Sequence, residues 1–400
     1  MPGGGLVRIT SGYGIMQVGT GLILPALLLY WHQGRHFLLP TAGALISAVS
    51  VAALVTLLVI GQVLDRVGTR PVLVLSQCLG ALGIMGFVWA PGLTGTLLAA
   101  VLYGVSAIAS WTALATALAL AGGDSRMFGV NYLVGNLGLG IGSVLGGIAL
   151  RAPLADSFPP LAGIAAALYL INAGVVATGR SPAPGPNPPG SSTIRGERAP
   201  RIGSHRVLLE ITVINFLLVL AAWGQLTSGW PIWIAGPLHL PPNIASWAFS
   251  ANCLVIAALQ WPLVGLLTRI SQPRAAAAGA VLFAAATAGI LWARQTGPVP
   301  ALALVFLSAG VLGVGEALLS PTLPVLVNRI APAAQKGRYT AMFNLSWPLG
   351  NILGPALSSW TLARGYGQEL WAGAILLCLL AAAACLHLEP NRLSRRGCLD

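Results

Sequence analysis

The sequence predicts an all-α integral membrane protein with twelve transmembrane helices in two six-helix pseudo-repeats. Three observations predict it. The chain is 56% hydrophobic and only 8% charged, where a soluble domain carries roughly 25% charged residues. No core absorbs so much apolar surface, so the solvent must be lipid. Apolar runs also recur at about the ~20 residues that a helix needs to cross a bilayer. They are continuous rather than alternating, which excludes a β-barrel. Finally, motifs of the first half return in the second.

In chain order, spans are expected near residues 9–31, 41–64, 71–91, 96–121, 128–150, 159–179, 207–233, 243–267, 275–294, 299–327, 339–362 and 370–388. Most breaks hold Gly, Pro or Arg, the usual punctuation. The first run is too long for a signal-peptide core and lacks a small-residue cleavage site, so it reads as a retained span. The longest polar stretch, residues 180–206, holds six prolines between Pro182 and Pro200. Such a segment builds no core and reads as a flexible linker. It divides the chain into a bundle at 1–179 and a second at 207–400 that ends in a short basic tail.

Orientation follows from Lys and Arg, which concentrate on the cytoplasmic side. With the N-terminus inside, 17 of the 21 basic residues fall on inner segments, and only Arg35, Arg151, Arg294 and Arg364 fall outside. Both termini are therefore expected in the cytoplasm, with the chain multi-pass in the cell inner (plasma) membrane. The same asymmetry accounts for the net charge of +12 without nucleic acid. The five cysteines, Cys78, Cys253, Cys378, Cys385 and Cys398, have no metal-ligand spacing and read as small core residues.

The repeat is visible in residues. "NLGLGIGSVLGG" from Asn136 in span five matches "NLSWPLGNILGP" from Asn344 in span eleven. At an offset of 208, Asn136, Leu137, Gly142, Leu145 and Gly146 meet Asn344, Leu345, Gly350, Leu353 and Gly354. The break after span two, "GQVLDRVGTR" at 61–70, has a counterpart after span eight in Gly265, Arg269 and Arg274, at an offset of 204. Equal span numbers imply a parallel repeat about an axis along the membrane normal.

"GQVLDRVGTR" resembles the loop-two/three signature of the major facilitator superfamily. Gly61, Asp65, Arg66, Gly68 and Arg70 all fit it, and the likeness covers essentially the whole chain. Gly61 would allow neighbouring helices to approach, and Gly68 would permit the turn. The resemblance implies that Asp65, Arg66 and Arg70 latch the two halves on the cytoplasmic side, with Asp65 meeting a helix N-terminus or an arginine. In the second copy Arg269 replaces the acid and Gln272 replaces the second glycine, so the latch is expected to be asymmetric.

"GLGIGSVLGG" at 138–147 resembles the span-five signature of the superfamily's antiporters. Gly138, Gly142, Gly146 and Gly147 fit, while Ser143 stands where the signature has proline. Glycines every four residues line one helix face and allow tight packing. "GTGLILP" at 19–25 is similar to the first helix of the twelve-helix drug:proton antiporters, without the aspartate many of them carry there. Pro25 should bend that helix.

Proton coupling needs a titratable group within the membrane. Asp124, Asp156, Glu197, Glu369, Glu389 and Asp400 fall in loops or the tail, Asp65 at an edge, and Glu210 one turn into span seven. Glu316 in span ten alone lies deep, at a cost of about 2.5–3.5 kcal/mol or more if charged. It is the proton-coupling candidate, beside a structural carboxyl as the other reading. Substrate-binding candidates are Tyr13, Gln17, Trp111, Thr112, Asn215, Trp223, Gln225, Asn252, Gln260, Asn344 and Trp347. The resemblance places several of their spans around a central cavity. Trp31, Trp89, Trp292 and Trp371 sit near span ends and read as interface anchors.

No catalytic or metal-binding residues and no cofactor are expected. His32 and His36 are the only close histidine pair, and phosphate-loop, zinc-protease and nucleophile-elbow motifs are absent. An aromatic, amide-rich cavity with one acid suits a lipophilic or cationic substrate exported against protons. An uptake symporter or facilitator for a sugar or other metabolite, and a non-transporting receptor, remain open. The expected partners are a small molecule, protons and the bilayer, with one 6+6 bundle able to act as a monomer.

Overall fold

The structure, a computed structural model, describes residues 4–120, 125–150, 153–178, 202–267, 269–332 and 335–388, and every regular element among them is helical. The helices are α1 (Gly4–Ile23), α2 (Leu39–Val67), α3 (Thr69–Trp89), α4 (Gly92–Leu120), α5 (Ser125–Ala149), α6 (Leu154–Thr178), α7 (Ile202–Leu218), α8 (Asn243–Leu267), α9 (Gln272–Ala293), α10 (Pro298–Ile330), α11 (Lys336–Asn344), α12 (Ser346–Ala363) and α13 (Gly367–His387). Among the described residues, eleven helical runs are long and apolar enough to cross a membrane. The proline-rich linker up to residue 201 lies outside the described residues. So do Asp124, Glu197, Glu389, Asp400, Cys398 and the basic tail.

Departures from the expected spans have local causes. The expected break at 61–70 shrinks to one residue. Gly68 adopts φ +88°, so α2 runs on to Val67 and α3 starts at Thr69. A residue with a side chain resists that left-handed geometry. α6 begins at Leu154, before the expected 159, because the Pro153 carbonyl accepts the N–H groups of Asp156 and Ser157 at 3.0 Å and starts the turn early. Expected span eleven divides at Leu345, whose backbone stays right-handed helical (φ −63°, ψ −26°). Its two pieces are not among the eleven runs.

Two helices are irregular. After α1 the chain tightens into a 3-10 turn at Leu24–Ala26 and then widens into a π segment at Tyr30–Gly34. Pro25 brings no N–H, so the α ladder cannot pass through it unbroken. After α7 a π segment, Val219–Trp223, leads into the short turns Gly224–Leu226 and Gly229–Ala235.

The chain forms two compact units. One is Met1–Ser191 with Pro241–Ala257, and the other is Ser192–Leu240 with Ala258–Asp400. This division differs from the linker boundary because the first part of α8 packs on α5. Ser250 Oγ donates to the Gly140 carbonyl at 2.9 Å and Trp247 Nε1 to the Val144 carbonyl at 3.4 Å. The Trp247 indole lies where Gly147 has no side chain.

In the first unit, α5 lies backbone-close on α1. A Cβ on Gly138 would come 2.6 Å from the Gly14 carbonyl oxygen, one on Gly146 2.5 Å from that of Leu22, and one on Gly142 would overlap that of Val18. Ser143 Oγ adds a bond to the Gly21 carbonyl at 3.0 Å. Arg35 staples the end of α3, donating to the carbonyls of Phe87 (3.0 Å) and Ala90 (2.7 Å) and to Thr96 Oγ1 (2.8 Å). Buried polar groups join α3 to α4, with Gln77 Nε2 donating to Ser110 Oγ and Ser110 Oγ to Ser76 Oγ, both at 2.8 Å. His32 Nδ1 meets the Phe37 carbonyl at 2.9 Å, which closes the turn after α1.

In the second unit, α9 and α10 touch where Gly279 and Gly315 face each other's backbone, the added Cβ in each case lying 2.9 Å from the other's carbonyl oxygen. Trp233 Nε1 donates to the Ile290 carbonyl at 3.1 Å. Two expected interface anchors are corrected here. Trp31 and Trp371 are both 0% exposed. Each packs edge-on against another ring, Trp31 on Phe87 (5.2 Å) and Trp371 on Trp233 (5.9 Å), so their ring area goes into packing. Trp89 and Trp292 are exposed as anchors should be.

Gly61 is also corrected. It is exposed, and among the described residues nothing lies within 4 Å of a Cβ placed there, so it permits no close approach in this structure. Gly142→Ala should therefore destabilise the protein by about 1–3 kcal/mol, the cost of overpacking, while Gly61→Ala, in open space inside α2, should raise stability by up to about 1 kcal/mol. Heating followed by fluorescence-detected gel filtration measures the difference.

Candidate functional site

The "GQVLDRVGTR" stretch is split by its own secondary structure. Asp65 and Arg66 occupy the last turn of α2 and are exposed, while Arg70 is half-buried in the first turn of α3. Arg70 donates to the Ala177 carbonyl, and Arg8 donates to Thr178 Oγ1 at 2.9 Å. Both guanidinium groups thus close the C-terminus of α6, where unpaired carbonyls and the negative end of the helix dipole favour a cation. In the second copy Arg269 is exposed, and Gln272 Nε2 donates to the Leu267 carbonyl at 3.3 Å, bridging α8 and α9.

The glycines of 138–147 serve two faces of α5. Gly138, Gly142 and Gly146 receive α1, and Gly147 receives Trp247. In the second unit Gly350 and Gly354 receive the irregular part of the α7 run, with an added Cβ on Gly350 coming 2.5 Å from Val219 Cγ1. The offset of 208 that joins these glycines also pairs Gln17, Thr20 and Gly21 with Gln225, Ser228 and Gly229.

Glu316 lies in α10 with 9% of its surface exposed. It follows Gly315, which abuts the Phe283 ring and the Gly279 backbone of α9. Among the described residues it is the one buried acid. Asp65, Asp156, Glu210 and Glu369 are all exposed.

The remaining candidates form two groups. In the first unit Tyr13 tilts against Trp111 (centroids 6.3 Å apart, 49° between planes), over the space left by Gly135. Trp111 is 46% exposed. Gln17 Oε1 accepts from Thr20 Oγ1 at 3.5 Å, and Thr112 Oγ1 donates to its own helix at Ile108. In the second unit Trp223 lies against Trp347, centroids 4.2 Å apart and 33° between planes, and Asn215 Nδ2 donates to Ser346 Oγ at 2.6 Å. Asn344 is exposed on the same side as Trp347.

Gln225 is turned into the packing at 2% exposure, donating to the carbonyls of Leu220 (2.9 Å) and Gly354 (3.4 Å). Asn252 is buried and Gln260 half-buried. A cavity of about 630 Å³ in the first unit, between Gln33, Pro153, Pro241 and Asn243, includes none of the predicted residues.

Asn351 escaped the sequence reading. Its Nδ2 donates to the Trp347 carbonyl at 2.9 Å, and its Oδ1 lies 3.4 Å from where Gly224 would carry a Cβ. Its position, seven residues after Asn344 and four after Trp347, was the available signal, because i, i+3 and i+7 share a helix face. No cluster of three or more His, Cys, Asp or Glu able to hold a metal occurs among the described residues.

Comparison with known proteins places this geometry. The family model described as Major Facilitator Superfamily matches residues 9–235 and again 211–397. The chain is similar to the uncharacterized MFS-type transporter YttB of Bacillus subtilis (strain 168), 24% identical over 406 residues that cover 96% of this chain and 95% of that one. Its fold is like that of a mutant of the nucleoside transporter NupG (TM-score 0.76, 17% identity, 96% of this chain and 99% of that one). It is also like that of a mutant of the peptide transporter POT crystallised with sulfate (TM-score 0.75, 16% identity, 96% and 94%).

The end of α6 offers a direct test of the arginine cap. Arg70→Ala should speed amide exchange in the last turn of α6 by about 2–5-fold, the effect of losing one cation at a helix C-terminus, with Arg70→Lys between. Hydrogen-exchange mass spectrometry of peptides ending near Thr178 reads it.

Proposed function

The chain belongs to the Major Facilitator Superfamily, whose members are membrane transporters and not enzymes, and from that premise we propose that it exports a lipophilic or cationic small molecule in exchange for protons. The observation that carries the reading is Glu316, the acid buried in a helix long and apolar enough to span the bilayer. Proton coupling needs a titratable group within the membrane, and among the described residues Glu316 is the acid that lies buried there.

Twelve spans in two six-helix repeats complete the proposal. The αR backbone of Leu345 supports joining α11 and α12 into one further span. The glycine pairs at offset 208, each receiving the first helix run of its unit, support the repeat. On this reading the bundles at 1–179 and 207–400 rock about a midplane site, as a monomer in the cell inner membrane with both termini cytoplasmic. Exposed Asp65 and Arg66 form the cytoplasmic latch, while Arg70 holds α3 to α6 beneath it. A proton entering from outside competes with substrate for Glu316, or for the conformation that Glu316 favours, and the affinity difference between states drives exchange.

A second reading is uptake of a polar metabolite, as in the nucleoside and peptide transporters of like fold. The exposed amide of Asn344 beside Trp347 favours it.

Efflux of ethidium from efflux-deficient cells separates them. The chain should lower ethidium accumulation, a protonophore should abolish the effect, and Glu316→Gln and Asp65→Asn at matched expression should each cut export by at least about tenfold, the loss expected for a ~1.4 kcal/mol change. Normal export by Glu316→Gln makes that carboxyl structural. Accumulation above the empty-vector level favours uptake.

A further inference from the structure

The end of α11 and the length of α12 together carry two exposed stripes rather than one. Leu349, Leu353, Leu357 and Trp360 are exposed and, at about 100° per residue, fall in one sector. Asn344, Trp347 and Asn351 fall in a sector about 60° wide on roughly the opposite side, a short patch that closes at buried Ser358 further along α12. Asn344 and Trp347 are exposed and Asn351 is half-buried. The faces between them are buried, at Phe343, Gly350 and Gly354 on one side and at Pro355 and Ser359 on the other. The leucine stripe is a lipid face. The amide stripe is not, because an amide without hydrogen-bond partners is costly in hydrocarbon.

That stripe is built for stacking. Trp347 is 38% exposed, and Trp223 lies 4.2 Å behind it, centroid to centroid. The Asn351 amide nitrogen is held by the Trp347 carbonyl at 2.9 Å, and its Oδ1 lies over Gly224, beside Trp223. Asn344 flanks the indole one turn earlier. No acid or base occurs between Thr340 and Asn351, or between Ile211 and Ala235. An indole with an amide on each side offers a π face and both donors and acceptors, but no countercharge.

The geometry points to this stripe as the binding surface for a neutral, planar heteroaromatic substrate whose ring lies on Trp347 and whose edge is read by Asn344 and Asn351. The assignment rests on the transport reading above and narrows its substrate class from lipophilic or cationic to neutral and aromatic. The Trp223–Trp347 pair supplies the platform. Each amide can match either a donor or an acceptor on the ring edge.

Purified protein in nanodiscs is titrated with acridone, a neutral planar ring with one N–H and one C=O, and with N-methylacridinium, its permanently cationic and N–H-free counterpart. Fluorescence anisotropy is read against empty nanodiscs. Acridone should bind more tightly than the cation. Trp347→Ala should weaken it at least about tenfold, in line with base–aromatic stacking. Trp347→Phe should restore most of the affinity, and Asn344→Ala, at an exposed position, should weaken it about 2–10-fold for a lost hydrogen bond.

The assignment is overturned if wild type does not bind acridone, if N-methylacridinium binds as tightly, or if Trp347→Ala and Asn344→Ala bind like wild type. Ethidium export that ignores both acridone and Trp347→Ala sinks the site and leaves export standing. Trp347-dependent acridone binding without any transport by reconstituted protein supports the site and removes the export reading.

Discussion

The arrangement depends on backbone approaching backbone without side chains between. In lipid, helices gain little from hiding apolar surface, since the tails outside are as apolar as the neighbours inside, and association rests on close packing. Gly138, Gly142 and Gly146 let α5 lie on the carbonyls of Gly14, Val18 and Leu22. The unlike face of the same helix takes Trp247 at Gly147, which draws the first part of α8 into the first unit. One helix therefore meets two neighbours, α1 at Gly138, Gly142 and Gly146 and α8 at Gly147. In the second unit Gly350 and Gly354 give the same freedom to the run that follows α7.

Close packing leaves the irregular segments with a second problem. Every carbonyl released from a helix ladder must find a partner, because hydrocarbon offers none. The chain meets this with side chains placed at the breaks. At the π segment Val219–Trp223, Gln225 Nε2 donates to the Leu220 carbonyl. The end of α3 is closed by Arg35 and the end of α6 by Arg70 and Arg8. The Gly21 carbonyl, just before the Pro25 turn, accepts from Ser143. The last case shows what the glycine motif gains from its departure. A proline at 143 would have no hydroxyl to offer, and serine adds a hydrogen bond across the α1–α5 contact.

The sequence carried the helical, membrane-spanning character and most helix positions, because apolar length and scarcity of charge bear on every residue. It also carried the pairing of Asn136 with Asn344 and of Gly142 with Gly350, since spacing survives in the chain. Direction of a side chain did not survive so well. Trp31 and Trp371 lie near span ends, yet whether an indole there meets the interface or Phe87 and Trp233 depends on helix rotation. Gln225 resembled a cavity amide, while the structure turns it to the Leu220 carbonyl. Gly61 fitted a signature in which close approach was the expected reason, while the structure leaves it open. Asn351 was overlooked, although its periodicity with Asn344 and Trp347 was available.

Placement of the polar groups separates two tasks within one bundle. Several buried amides and hydroxyls, including Gln77, Ser110, Ser143 and Gln225, bond to neighbouring helices and so add rigidity at a modest net gain per bond, about 0.5–1.5 kcal/mol. Such groups cannot also turn toward a ligand without abandoning a partner in a dry interior, which costs about as much again or more. Groups available for recognition must therefore be those that packing does not consume. Along α11 and α12 these are Asn344 and Trp347, because the buried sides are occupied by glycine, proline and serine and the lipid side by leucine. Glu316 stands apart from both sets, buried on a different helix and able to change charge where an amide cannot. A transporter built this way would read its substrate with neutral groups and sense protons elsewhere, so that binding and protonation meet through the conformation they share rather than through one side chain.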